Sequence, residues 1–105
     1  MTFADNLKKL PPVDGLDRLA LHDAEGNAIA EIRNKPGQAG SLAVYHHLYL
    51  KHGKIDVAAA QEGLELYAEH AEDAELNPGK HPNIDRLYDV IAEDSSLQVR
   101  VHPKS

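Results

Sequence analysis

Leu97-Gln98-Val99-Arg100-Val101-His102 is the cleanest alternation of apolar and polar residues in the chain. A period of two is the mark of a strand with one buried face. This strand follows a long helical stretch and has no neighbour of its own. A lone strand is unstable, so it must return to strands encoded earlier. Those are Leu16–His22, where Leu19 and Leu21 alternate with polar or small residues, and Ala28–Arg33. Between them Asp23-Ala-Glu-Gly26-Asn27 supplies turn chemistry, so the pair reads as a β-hairpin. The second strand is irregular, because Ile29 and Ile32 cannot share a face.

Helical segments surround these strands. Thr2 and Asp5 have the spacing of a capping box, opening a short helix that ends before Pro11-Pro12. After the loop Asn34–Gly40, Ser41 is placed to cap a helix from Leu42 to His52, with Gly53 as its C-terminal stop. Asp56 caps a longer helix from Val57 to Leu76, which Asn77-Pro78-Gly79 ends. A second turn, Lys80-His81-Pro82-Asn83, leads into a helix over Ile84–Glu93. The expected fold is α+β: a three-stranded, mostly antiparallel sheet with helices on one face, in the order α-β-β-α-α-α-β. Its 105 residues make a single domain, 1–105.

The composition narrows the function. With 17 acidic and 11 basic residues the formal charge is −6, which argues against nucleic acid and anionic membranes as general partners. No cysteine is present, so disulfides, thiol nucleophiles and thiolate zinc sites are excluded. The longest apolar runs are four residues, Leu42–Tyr45 and Val57–Ala60, against about 20 for a membrane helix. The N-terminal residues lack the apolar stretch of a secretory signal, and a cytoplasmic location is the expectation. The serines, at 41, 95, 96 and 105, sit in no nucleophile elbow, and no dinucleotide fingerprint occurs.

Charge is unevenly placed. Val57, Ala60, Leu64, Tyr67, Ala68 and Ala71 form the apolar stripe of the long helix, and Glu62, Glu65, Glu69, Glu72 and Asp73 gather opposite. Seven acids and no Lys or Arg lie between Asp56 and Leu76. The ordinary reading is a solvated face; the functional one is a docking strip for a basic partner or a divalent ion, with Leu66 at its border. On the sheet, alternation sends Leu19, Leu21, Ala28, Ala30, Ile32, Leu97, Val99 and Val101 inward. It sends Arg18, Ala20, His22, Ile29, Glu31, Arg33, Gln98, Arg100 and His102 outward. The cationic outer face complements the acidic helix.

Two loops run into helix N-termini, where free amides and the helix dipole attract anions. Pro36–Ser41 is not a Walker loop, because Gly-Lys-[Ser/Thr] is missing. Pro78–Asn83 carries Lys80 and His81, with Arg86 one turn on, and is the better candidate. The ordinary reading gives the glycines to turns and Ser41 and Asn83 to capping. His52, at the end of its helix beside Tyr49 and Tyr45, is either an end-cap that complements the dipole or part of the same ligand pocket. Seven histidines raise the question of metal, but the spacings are poor. His46 and His47 diverge by about 100°, and only His70, Glu69 and Asp73 have two-ligand spacing, with His47 or His81 as distant additions. No metal or cofactor site is assigned.

The stretch Gly63–Leu87, with Tyr45-His-His-Leu-Tyr49, resembles a small family of uncharacterised bacterial proteins of about this length. That resemblance implies a bacterial, stand-alone domain and brings no catalytic residue with it. The leading expectation is a binding or interaction domain that self-associates as a homo-oligomer. The alternative is an enzyme or sensor for a small anionic ligand, held by Lys80, His81, Asn83 and Arg86 with His52 and Tyr49.

Overall fold

A computed structural model describes residues 2–104; Met1 and Ser105 lie outside it. The elements are α1 (Phe3–Leu7), β1 (Leu16–His22), β2 (Ala28–Arg33), α2 (Ala39–His52), α3 (Val57–Tyr67), α4 (Glu69–Leu76), α5 (Pro82–Glu93) and β3 (Gln98–Pro103). The fold is α+β and the expected order stands, with the Val57–Leu76 segment divided into two helices. No helix of the described residues is long and apolar enough to cross a membrane.

β1 is the centre of an antiparallel sheet ordered β2-β1-β3. The last strand returns to the hairpin as its alternation requires: Leu19 lies opposite Val101, Ala20 opposite Arg100 and Leu21 opposite Val99. Leu97 falls just outside β3 and bridges to Ile55, which ties the sheet to the α2–α3 connection. Leu19, Leu21 and Ile32 are fully buried under the helices. On the outer face Arg18 lies between Arg33 and His102, and Ala20 between Glu31 and Arg100. A bulge between Leu21 and His22 shifts the register at the turn end. Beyond it Ala28, expected inside, is exposed, as is Ile29 at 47 %.

Against the sheet sits a core of Leu42, Val44, Tyr45, Leu48, Ile55, Ala59, Ala60, Ile84, Leu87 and Val90. Gly63 lets α3 approach its neighbours: a Cβ there would meet Leu87 Cδ1 at 2.8 Å and Leu48 Cδ1 at 3.0 Å. The capping box at Thr2–Asp5 and the Asp56 cap, which accepts from the Ala59 amide at 2.9 Å, both form as expected.

The helix expected from Val57 to Leu76 is instead broken at Ala68, which takes φ 53°, ψ −118°. No proline or glycine stands at the break, so local sequence carries no sign of it. Asn6 and Phe3 of α1 bond to its two sides, at the Leu66 carbonyl and the Glu69 carboxylate. Two surface expectations also change. Leu66 packs against the core rather than standing free. Glu62, placed on the solvated face, has a side chain only 21 % exposed and lies between α2 and α3.

Candidate functional site

The two loops singled out above meet. Gly37, Ala39, Gly40 and Ser41 at the start of α2 face Lys80, His81, Pro82 and Asn83 at the start of α5 across a cleft of 450 Å³. Phe3, Leu7 and Tyr67 supply an apolar wall, and His70 closes one side. Two helix N-termini far apart in the chain therefore open into one space.

Neither helix is capped by a side chain. Ser41, expected as a cap, lies inside the first turn of α2, because the helix begins earlier at Ala39. The amides of Gly40 and Ser41 have no acceptor among the described residues. The Ser41 hydroxyl accepts from the Tyr67 hydroxyl at 2.7 Å, which leaves its own hydrogen free to donate. Asn83 is not a cap either: α5 begins at Pro82, and Asn83 Oδ1 accepts from Arg86 Nη1 at 2.8 Å. Its amide too lacks an acceptor among the described residues. Pro82 fits the first helical position because it has no N–H to satisfy.

The cationic side chains share one carboxylate. Asp73 Oδ2 lies 2.6 Å from His81 Nε2 and 3.0 Å from Lys80 Nζ. Hydrogen bonds from His81 and then Lys80 hold the Asp73 carboxyl at about 2. Lys80 is 60 % exposed and would meet a ligand by leaving or sharing the Asp73 carboxylate. Phe3 stacks on Tyr67 with ring centres 5.2 Å apart and meets His70 edge-on at 5.1 Å; His70 lies 5.7 Å from His81. Phe3 also covers Gly40, where a Cβ would meet its ring at 3.3 Å. The cleft can thus take a group with an anionic end and an apolar body.

Of the residues expected to bind ligand, Lys80, His81 and Asn83 line this cleft. Arg86 stands one turn behind, donating to Asn83 and, at 3.3 Å, to the Tyr45 hydroxyl, with its guanidinium 5.7 Å from the Tyr45 ring centre. Tyr45 is fully buried and donates to the Asn83 carbonyl at 2.5 Å. Burial raises its hydroxyl to about 12, against the opposing pull of Arg86. His52 and Tyr49 are not in the cleft. Tyr49 packs on the core, and His52 Nε2 lies 3.1 Å from Glu62, the carboxylate that also takes His47 at 2.8 Å and Lys51 at 2.9 Å. Helical spacing placed His52 beside Tyr49 on α2 but did not show where α3 would lie.

The residues of the metal alternative point to separate partners. Glu69 accepts from the Phe3 amide at 2.8 Å, Asp73 holds His81 and Lys80, and His70 packs on Phe3. No group of three or more His, Asp or Glu suited to an ion gathers among the described residues. A second cleft of 660 Å³ lies between the hairpin turn and the end of α5. Asp23, Glu25, Asp89, Glu93 and Asp94 line it with Arg86, so its lining is predominantly acidic. Sequence reasoning missed His70, Phe3 and Tyr67 as wall residues, because no local pattern links the N-terminal helix to α3 and α4.

Residues 3–101 match the family described as "Uncharacterized protein conserved in bacteria (DUF2322)". The chain belongs to that family. The resemblance read from Gly63–Leu87 therefore holds along nearly the whole chain. No curated protein and no solved structure matches it.

Proposed function

We propose that this DUF2322 chain is a small binding domain whose cleft between the starts of α2 and α5 takes an anionic metabolite, as a sensor or as an enzyme. The observation that carries the reading is the meeting of two uncapped helix N-termini with Lys80, His81 and His70 around one cavity. Free amides at a helix start, the dipole behind them and an exposed ammonium are the elements of an anion site. The formal charge of −6 favours a small ligand over a polyanion such as nucleic acid. The protein would then work in the cytoplasm, where phosphorylated and carboxylated metabolites are made and consumed.

Thermal-shift screening with such metabolites tests it. A ligand at a hundred times its dissociation constant stabilises by about 2.7 kcal/mol. Lys80→Ala, at an exposed position, should keep the fold and weaken binding about tenfold, the scale of one charge-assisted hydrogen bond. A panel without a shift, or an undiminished shift in Lys80→Ala, overturns the proposal.

Self-association is a second reading, supported by one observation. Arg18, Arg33, Arg100 and His102 share the sheet's outer face, where Glu31 pairs with Arg18 and Arg33 and leaves a smaller basic excess, whereas Glu65, Glu72 and Glu75 are exposed on α3 and α4. A second copy is the partner that such segregation fits. Sedimentation at low and high salt tests it: a homo-oligomer that dissociates as salt rises is expected, and a monomer throughout removes it.

A further inference from the structure

We propose that the bend at Ala68 is a two-state joint, held by α1, that assembles or dissolves the cleft. The control of ligand rests on the cleft reading above; the joint itself does not.

The apolar stripe runs unbroken from Val57 to Ala71, and the residues around Ala68 are ordinary helix formers. Local sequence therefore favours one straight helix. Ala68 nevertheless adopts φ 53°, ψ −118°, a conformation that a residue with a Cβ rarely occupies. Something outside the segment must hold it there: α5 fixes the far arm, where the Tyr88 hydroxyl donates to the Ala71 carbonyl at 3.3 Å, and the contacts at the bend itself come from α1. In a straight helix the Leu66 carbonyl would accept from the His70 amide, four residues on. In the bent chain Asn6 Nδ2 donates to that carbonyl at 2.9 Å instead. On the other side of the bend, the Glu69 carboxylate accepts from the Phe3 amide at 2.8 Å. The Phe3 ring meanwhile touches Tyr67 before the joint and His70 after it. One short helix thus splints both arms.

α1 is the element best suited to come and go, since it contains no fully buried residue and rests on the core only through the partly buried Phe3 and Leu7. With α1 docked, α4 delivers His70 to the cleft and Asp73 to His81 and Lys80. With α1 released, the His70 amide regains the Leu66 carbonyl and α4 swings out of that position. A ligand that binds only the bent form biases the joint, and by linkage α1 release weakens the ligand.

Two variants decide the matter. Ala68→Gly removes the clash at positive φ. With the bend as ground state, it raises the folding equilibrium constant roughly 5–30-fold in urea titrations; in a straight helix glycine would lower it. Asn6→Ala removes the substitute donor. The Leu66 carbonyl is then left to the His70 amide alone, which should exchange with solvent more slowly, and affinity for inorganic phosphate should fall several-fold. Adding Ala68→Gly to Asn6→Ala should restore both. A less stable Ala68→Gly protein, or His70 exchange that is unchanged or faster in Asn6→Ala, overturns the joint. Phosphate that binds neither protein removes the ligand reading alone, because the exchange and the sign of the stability change still judge the joint.

Discussion

Glu62 shows how one side chain can fasten two helices. Burial pushes its carboxyl upward, but hydrogen bonds from Lys51, His47 and His52 outweigh that and hold it at about 2, against an ordinary 4.5. The folded protein therefore ionises Glu62 more readily than the unfolded chain does. Its stabilisation is complete above the unfolded value and is lost as pH falls from about 4.5 toward about 2. Glu62→Gln should cost about 1–2 kcal/mol at neutral pH. It should also flatten the loss of urea stability across that acid range. An equally steep acid loss in the variant would place the sensitivity elsewhere. Glycine spacing and histidine number were legible in the sequence. That His47, Lys51 and His52 share one acceptor was not, because the acceptor lies on another helix.

Packing sets the limits at the scale of the elements. α3 crosses α5 and α2 closely enough that Gly63 faces Leu87 and Leu48, both fully buried. Gly63→Val forces both leucines from their positions and should destabilise by about 2 kcal/mol, readable as a lower urea midpoint with an unchanged slope. Asp56→Ala removes the one side-chain cap on α3 and should cost about 1 kcal/mol in the same measurement. Helix ends were partly legible: the Asp56 cap and the Gly53 stop are chemical signals within a few residues. The starts of α2 and α5 were misplaced by a residue or more because neither carries a side-chain cap to mark it. The division of α3 from α4 was hidden for a stronger reason, since its determinants, Asn6 and Phe3, lie sixty residues upstream.

For the molecule as a whole, stability should be graded. β1 pairs on both sides and carries Leu19 and Leu21, which are fully buried. α1 buries no residue. Amide exchange should therefore be slowest in β1 and fastest in α1 among the helices, by several orders of magnitude. Protection of α1 equal to that of β1 would contradict the gradient.

The α+β class, the hairpin, the return of the last strand and the acidic excess between Asp56 and Leu76 were all legible in the order of residues. These follow from period, turn chemistry and charge, which act over a few residues or add over many. Only the tertiary structure decided that Pro36–Ser41 and Pro78–Asn83 open into one cleft, that His52 and Tyr49 stay outside it, and that α3 and α4 part at Ala68. Such relations depend on how helices cross. Crossing is settled by side-chain packing between segments distant in the chain, and no local pattern encodes it.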